Sequence, residues 1–223
     1  MTDNSKLAFC LFAICVMLTI GAGGRAMQTS ETNDLGIFSE ASSVGQTPPG
    51  CKAHFDAPTG EYQITGGGNN MWETGDDFYF VWKKMSGDLS LTADVKFVGT
   101  SAAQHRKAVL MVRQSLDRAS AYADVAFHGN GLTSLQFRGA AGENTYQIFT
   151  QLEQPARVRI VRHGSDFTMY YGKPQGELQA SNSVEYIRLK DPVYVGLGVC
   201  SHVATTLETA IFSNVKIEPA VTK

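Results

Sequence analysis

The chemistry this sequence offers rests on a small set of side chains. By strand parity Tyr79, Arg113, Gln136, Arg138 and Tyr194 fall on the side of their strands opposite the apolar residues, with Met111 among them. Asp77 stands at the entrance to that surface and Trp72 at its rim, and Gly196 and Gly198 leave a trough beside it. This is the composition of a polyol-binding groove, in which aromatic planes stack on sugar faces and amide or guanidinium groups match hydroxyls. Arg113 is its central residue. A mid-sheet guanidinium is always charged and presents five donors, so it must meet acceptors or leave donors unsatisfied. Asp124, on the next strand at the same parity, is the first candidate partner and Asp77 the second. The alternative is that Arg113 is a buried structural arginine in one of those pairs, with Tyr79 and Tyr194 packed. Trp72 reads as a binding platform or as a plug over the end of a sandwich.

Other chemistry has no starting point. Gly-x-Ser-x-Gly, His-Glu-x-x-His and paired Cys-x-x-Cys patterns are absent. His54, His105, His128, His163 and His202 fall in separate segments and read as strand-end or surface residues. Arg157, Arg159 and Arg162 read as a solvated strand face. No catalytic residue and no metal ligand is assigned.

The elements that must position these residues are strands. Residues 107–112 are almost continuously apolar, as in a central strand covered on both faces. In the next run Ala121, Ala123, Val125 and Phe127 alternate with Tyr122, Asp124, Ala126 and His128. After the turn His128-Gly-Asn-Gly131, Leu135 and Phe137 oppose Gln136 and Arg138. Phe78, Phe80 and Trp82 alternate with Tyr79, Val81 and Lys83, the aromatic set on the core side. Residues 89–98 give a long strand with one wet face. Further strands are expected over 53–56, 61–65, 146–149, 156–163, 167–171, 193–200 and 207–217, with 36–38 a short strand and 42–50 a turn-rich lead-in. No helical periodicity exceeds two turns. The pattern predicts an all-β chain: one jelly-roll sandwich of two antiparallel sheets over residues 36–217, with a loose segment at 27–35 and a tail at 218–223.

Residues 1–26 join Lys6, an apolar run over 7–20 and small residues at 21–26, the pattern of a secretory signal. The run is shorter than the roughly 20 residues a membrane span needs. An exported protein follows, periplasmic, extracellular or at the cell surface. Without the leader the chain keeps 17 basic and 20 acidic residues, a balance that favours neither nucleic acid nor an anionic membrane as partner. Cys51 and Cys200 remain, a possible disulfide in an oxidising compartment. Their parities oppose it, Cys51 lying with inward-facing Ala53 and Phe55, Cys200 with outward-facing Tyr194.

The order of the pieces carries a resemblance as well. The run from Phe55-Asp-Ala-Pro-Thr-Gly-Glu-Tyr-Gln-Ile-Thr to Gly66-Gly-Gly-Asn-Asn-Met-Trp72 opens it. Asp77-Phe-Tyr-Phe-Val81, Met85-Ser-Gly-Asp88, Lys107-Ala108 to Met111-Val-Arg113-Gln-Ser115-Leu116 and Tyr194-Val-Gly-Leu-Gly-Val199 to Ser201-His202 follow. Together they resemble jelly-roll modules of the concanavalin A-like lectin/glucanase superfamily, in the regulation-of-enolase-type branch of bacterial secreted and cell-surface proteins. The resemblance implies the sandwich fold and a non-catalytic module binding a glycan or related polyol on a concave sheet face. A divergent polysaccharide hydrolase or lyase, or an adhesion protein without a small ligand, stays open beside it. Glycosidases of the superfamily carry acidic residues as Glu-x-Asp-x-x-Glu, since retention needs carboxyl groups about 5 to 5.5 Å apart. Here the only adjacent acidic pair beyond the leader is Asp76-Asp77, whose side chains diverge on a strand and read as a turn cap. Two positions depart from the branch, Gln114 where Glu is frequent and Ser213 where Asp is frequent. The second removes a hard ligand from the calcium site that many superfamily members hold, so no cofactor is expected.

Overall fold

The computed structural model describes residues 34–150, 152 and 156–220, and the expected leader lies outside them. No helix occurs among the described residues. The strands in chain order are β1 (Glu40–Val44), β2 (Lys52–Asp56), β3 (Glu61–Gly68), β4 (Met71–Trp72), β5 (Gly75–Asp76), β6 (Phe78–Met85), β7 (Leu89–Phe97) and β8 (Lys107–Arg113). They continue with β9 (Tyr122–His128), β10 (Thr133–Arg138), β11 (Tyr146–Phe149), β12 (Arg157–His163), β13 (Asp166–Gly172), β14 (Gln179–Tyr186), β15 (Val193–Cys200) and β16 (Val203–Pro219).

Two seven-stranded antiparallel sheets form, ordered β1-β6-β15-β8-β9-β10-β11 and β14-β13-β12-β7-β16-β3-β2, with β4 and β5 as a separate ribbon. Their facing surfaces supply the main core. Val81, Leu110, Val112, Val125, Leu135 and Leu197 of the first sheet pack with Ile64, Leu91, Val95, Ile160, Met169 and Phe212 of the second. The continuous apolar run of β8 is explained by its position: every residue of it is buried, because both faces of the first sheet are covered. On the outward face a second apolar layer forms from Phe78, Phe80, Trp82, Val109, Met111 and Tyr122, with Met71 from the ribbon above. Each such side chain withdrawn from water contributes about 1.5–3 kcal/mol.

That second layer changes the reading of β6. Phe78, Phe80 and Trp82 belong to the outward layer, while Val81 enters the main core and Tyr79 packs against it. Parity was legible; which parity faced the other sheet was not, since both sets are apolar. The trough expected at Gly196 and Gly198 is absent as well. A Cβ at Gly198 would stand 2.8 Å from the Phe78 ring and 2.9 Å from Val109 Cγ2, so Gly198 admits the aromatic layer, while Gly196 lets the backbone of β6 at Val81 and Trp82 approach closely.

Other expectations shift at the edges. Residues 36–38 form no strand, whereas β1 starts just before the expected lead-in and runs into it. The edge strand β14 was not anticipated; six of its eight residues fall in polar or small types that give no clean alternation. The face of β7 expected to be wet is covered: Ser90, Thr92 and Asp94 are buried. Arg159 Nε donates to Thr92 Oγ1 (2.6 Å) and Arg157 grips Asp94 at 2.7 and 2.9 Å. Arg162 points the other way and is buried, bonded to Asp191 (2.5 Å) and to the Leu189 carbonyl, so the three arginines do not form one solvated face. Cys51 and Cys200 are free thiols.

Candidate functional site

The outward face of the first sheet is a set of cross-strand rows. Cys200, Lys107 and His128 make one row; Gly198, Val109, Ala126, Ser134 and Phe149 the next. Gly196, Met111, Asp124, Gln136 and Gln147 follow, then Tyr194, Arg113, Tyr122 and Arg138.

The last row is sealed. Arg138 is fully buried and grips Asp76 bidentately, Nη1 to Oδ2 at 2.9 Å and Nη2 to Oδ1 at 2.8 Å. It also donates to the carbonyls of Glu73, Glu143 and Ser120. Arg113, also fully buried, donates to the carbonyls of Ser115 (2.6 Å) and Asp117 (2.6 Å), stands 3.4 Å from Asp76 and lies against the Phe78 ring. The two guanidiniums therefore tie the ribbon and the segments around 115–120 and 139–145 onto the sheet. Neither has an atom open to a ligand. Arg113 is the structural arginine of the two alternatives, and its carboxylate is Asp76, not Asp124 or Asp77. The signal for this was the ribbon: Asp76 reaches the sheet only because the chain folds back over it at residues 69–77, which no strand parity reports.

The remaining expected residues divide. Tyr79 lies on the opposite face, against the main core. Tyr194 is half-buried, edge-on to Trp82, with Lys84 over its ring. Asp77 is buried, accepting from Gln46 N (2.9 Å) and paired with Arg118 (3.1 Å). Trp72 and Gln136 do line a cavity.

That cavity, of about 190 Å³, opens at the other end of the face. Its walls are Lys107 and His128 on one side, Gln136 and Gln147 on another, and Asn70 with Trp72 from the ribbon and the turn before it. His105 and His202 stand at its mouth. Between the two polar rows lie the small side chains of Ala126 and Ser134, which leave the room that the aromatic layer takes elsewhere. Trp72 also borders a second cavity, of about 260 Å³, shared with Thr74, Asp77 and Arg118.

The polar groups in the main cavity are fixed. Lys107 is buried on the central strand and donates to Asn70 Oδ1 and to the Met71 carbonyl (3.4 Å). Burial pulls its pKa down, against the pull of Cys200 and Asp124. His128 Nδ1 lies 3.1 Å from the Leu132 carbonyl, which can only accept, so Nδ1 carries the proton. Burial first and Lys107 second depress its pKa to about 3, which leaves a neutral ring whose Nε2 accepts. Gln136 Nε2 reaches Gln147 Oε1 at 3.3 Å, while the buried Gln136 Oε1 has no partner among the described residues. Beside it, both oxygens of Asp124 are buried without a hydrogen-bond partner among the described residues, and burial pushes that carboxyl well above the usual range, favouring the neutral acid.

Sequence reading missed Lys107, His128, His105 and His202 as a group. The histidines are far apart in the chain; register places His128 across from Lys107, and the turn after β15, where His202 takes a left-handed backbone (φ 60°), brings it within ring contact of His105 at 5.6 Å. No group of three or more His, Cys, Asp or Glu suited to a metal occurs among the described residues. At the Ser213-Asn214 position, Asn214 Nδ2 donates to Asp94 (2.8 Å), a carboxylate already held by Arg157.

The arrangement of sheets is shared with solved structures. A protein of unknown function from Saccharomyces cerevisiae matches with a TM-score of 0.59 at 11% identity, over 82% of this chain and 97% of its own. The lectin UEA-II, solved with galactose, matches with a TM-score of 0.50 at 9% identity, over 82% and 100%. The fold is a concanavalin A-like jelly roll. A β-1,3-1,4-glucanase from a mouse hindgut metagenome is similar at a TM-score of 0.47 and 12% identity, over 81% and 93%. At these identities the jelly roll is shared and nothing finer follows. No family model matches the chain, and no curated protein matches it.

Proposed function

We propose that this jelly roll is an exported, non-catalytic module that binds a glycan or related polyol in the cavity between Lys107, His128, Gln136 and Trp72. The observation that carries the reading is the donor set. A neutral imidazole acceptor, an ammonium and three amides converge beside one aromatic ring in a small, preformed space. Hydroxyl groups, which donate and accept, satisfy such a set better than an apolar ligand does. A volume near 190 Å³ suits one sugar-sized unit, and the second cavity across Trp72 suits its neighbour in a chain.

Binding without cleavage is favoured by the carboxylates. Glycoside hydrolysis uses two of them across one bond; the main cavity's described walls carry none, Asp124 lying beneath the surface, and of the second cavity's Glu73 and Asp77 the latter is held by Arg118 and the Gln46 amide. The lectin sharing this jelly roll was solved with galactose. Membership of the secreted regulation-of-enolase-type branch, with export after a leader over residues 1–26, belongs to the same proposal. A glycan array probed with the purified protein tests it: binding that disappears in Trp72→Ala, with the melting temperature unchanged, supports the module. Release of shortened products from a bound polymer would replace the module by an enzyme, and silence across the array would leave an adhesion role.

A further inference from the structure

Lys107 brings a charge to the cavity and is in direct contact with no acid among the described residues. Its described partners are an amide oxygen and a backbone carbonyl, two contacts for three ammonium donors. Among the described residues it makes no ion pair, although Arg106, Arg113, Arg138, Arg157 and Arg162 all do. The nearest acid on its own face, Asp124, lies two rows away, with both oxygens buried and unbonded among the described residues in surroundings that favour the neutral form. His105 and His202 flank the mouth, and Asn70, Gln136 and Gln147 add amide N–H donors. An uncompensated, largely desolvated ammonium aimed into a cavity is costly unless a counter-charge arrives.

We infer that the unit held in this cavity carries an anionic group, a carboxylate or a sulfate, seated on Lys107. The inference rests on the glycan-binding reading of the same cavity and names the class of sugar. Trp72 stacks on the ring face while Lys107, with a nearby amide N–H, receives the anion. The hydroxyls fall to His128 Nε2 and to the amides of Gln136 and Gln147. A neutral sugar would fill the space and leave the ammonium unmatched.

Calorimetric titration of the protein with three probes separates the outcomes: an oligouronate, the same oligomer with its carboxyls reduced to alcohols, and a sulfated oligosaccharide of similar length. The expected result is at least tenfold tighter binding of one anionic probe than of the reduced one, with the preferred anion telling carboxylate from sulfate. That preference should shrink several-fold between 50 mM and 500 mM salt, as screening requires. Lys107→Met should abolish it; should that variant not fold, the salt dependence of the parent carries the test, since a neutral contact would not show it. Equal binding of the reduced and the native oligouronate overturns the anionic assignment and leaves the glycan site standing. Absence of binding by all three, together with a silent array, overturns the glycan site itself.

Discussion

Replacing His128 by Gln should change how stability depends on pH more than it changes stability at neutral pH. In the folded protein burial and the Lys107 ammonium hold the imidazole neutral until about pH 3, whereas an exposed histidine takes its proton near 6.5. Between those values the unfolded chain binds a proton that the folded chain refuses, so stability is complete above 6.5 and is lost as pH falls. The loss is about 1.4 kcal/mol per pH unit, or on the order of 3 kcal/mol by pH 4. His128 is almost fully enclosed (2% exposed), so solvent screening does not remove much of this. Gln cannot titrate, and its amide can still donate toward the Leu132 carbonyl. Urea unfolding followed by far-ultraviolet circular dichroism at pH 7, 6, 5 and 4 gives both curves. His202, depressed by burial, slopes the same way, and Asp124, raised by burial, slopes the opposite way, but both are present in each protein and drop out of the difference. Parallel curves for parent and variant would show that His128 charges normally, and the neutral acceptor in the cavity would be lost with it.

Asp76→Asn should destabilise by about 3–5 kcal/mol in chemical melts, because it leaves the buried guanidiniums of Arg113 and Arg138 without their shared carboxylate. Gly198→Ala should cost about 1–3 kcal/mol by driving a methyl group into Phe78 and Val109, and a cost below 0.5 kcal/mol would argue against the second apolar layer. Cys200, whose thiol burial pushes up to about 11, should resist alkylation in the native protein until denaturant is added.

The sandwich was legible because it depends on period-two alternation, and β8, β9, β10 and β15 kept the parity their residues announce. The strand β6 did not, since Phe78, Phe80 and Trp82 are as apolar as a core set and serve a layer that exists only once residues 69–77 fold over the sheet. The same segment decided the site. Parity placed Arg113, Gln136 and Arg138 on one face correctly, but it could not tell that Asp76 would close over two of them while Gln136 stayed beside an opening. Lys107 was read only as the first residue of a buried strand, and His128 only as a strand end. Their partnership is a product of register, with Lys107 opposite His128, and of the ribbon that brings Asn70 and Trp72 above them.

Binding of glycans by the parent protein and by Trp72→Ala, measured side by side on one array and followed by titration of the tightest ligand, tests the site most directly. Trp72 is half-buried at the cavity wall and ties down no buried charge, so the variant should fold normally. The expected result is a parent that retains a defined class of glycan and a variant weakened about five- to thirtyfold, with stacking worth about 1–2 kcal/mol lost. Unchanged affinity in the variant would place the ligand elsewhere on the molecule and contradict the assignment of this cavity.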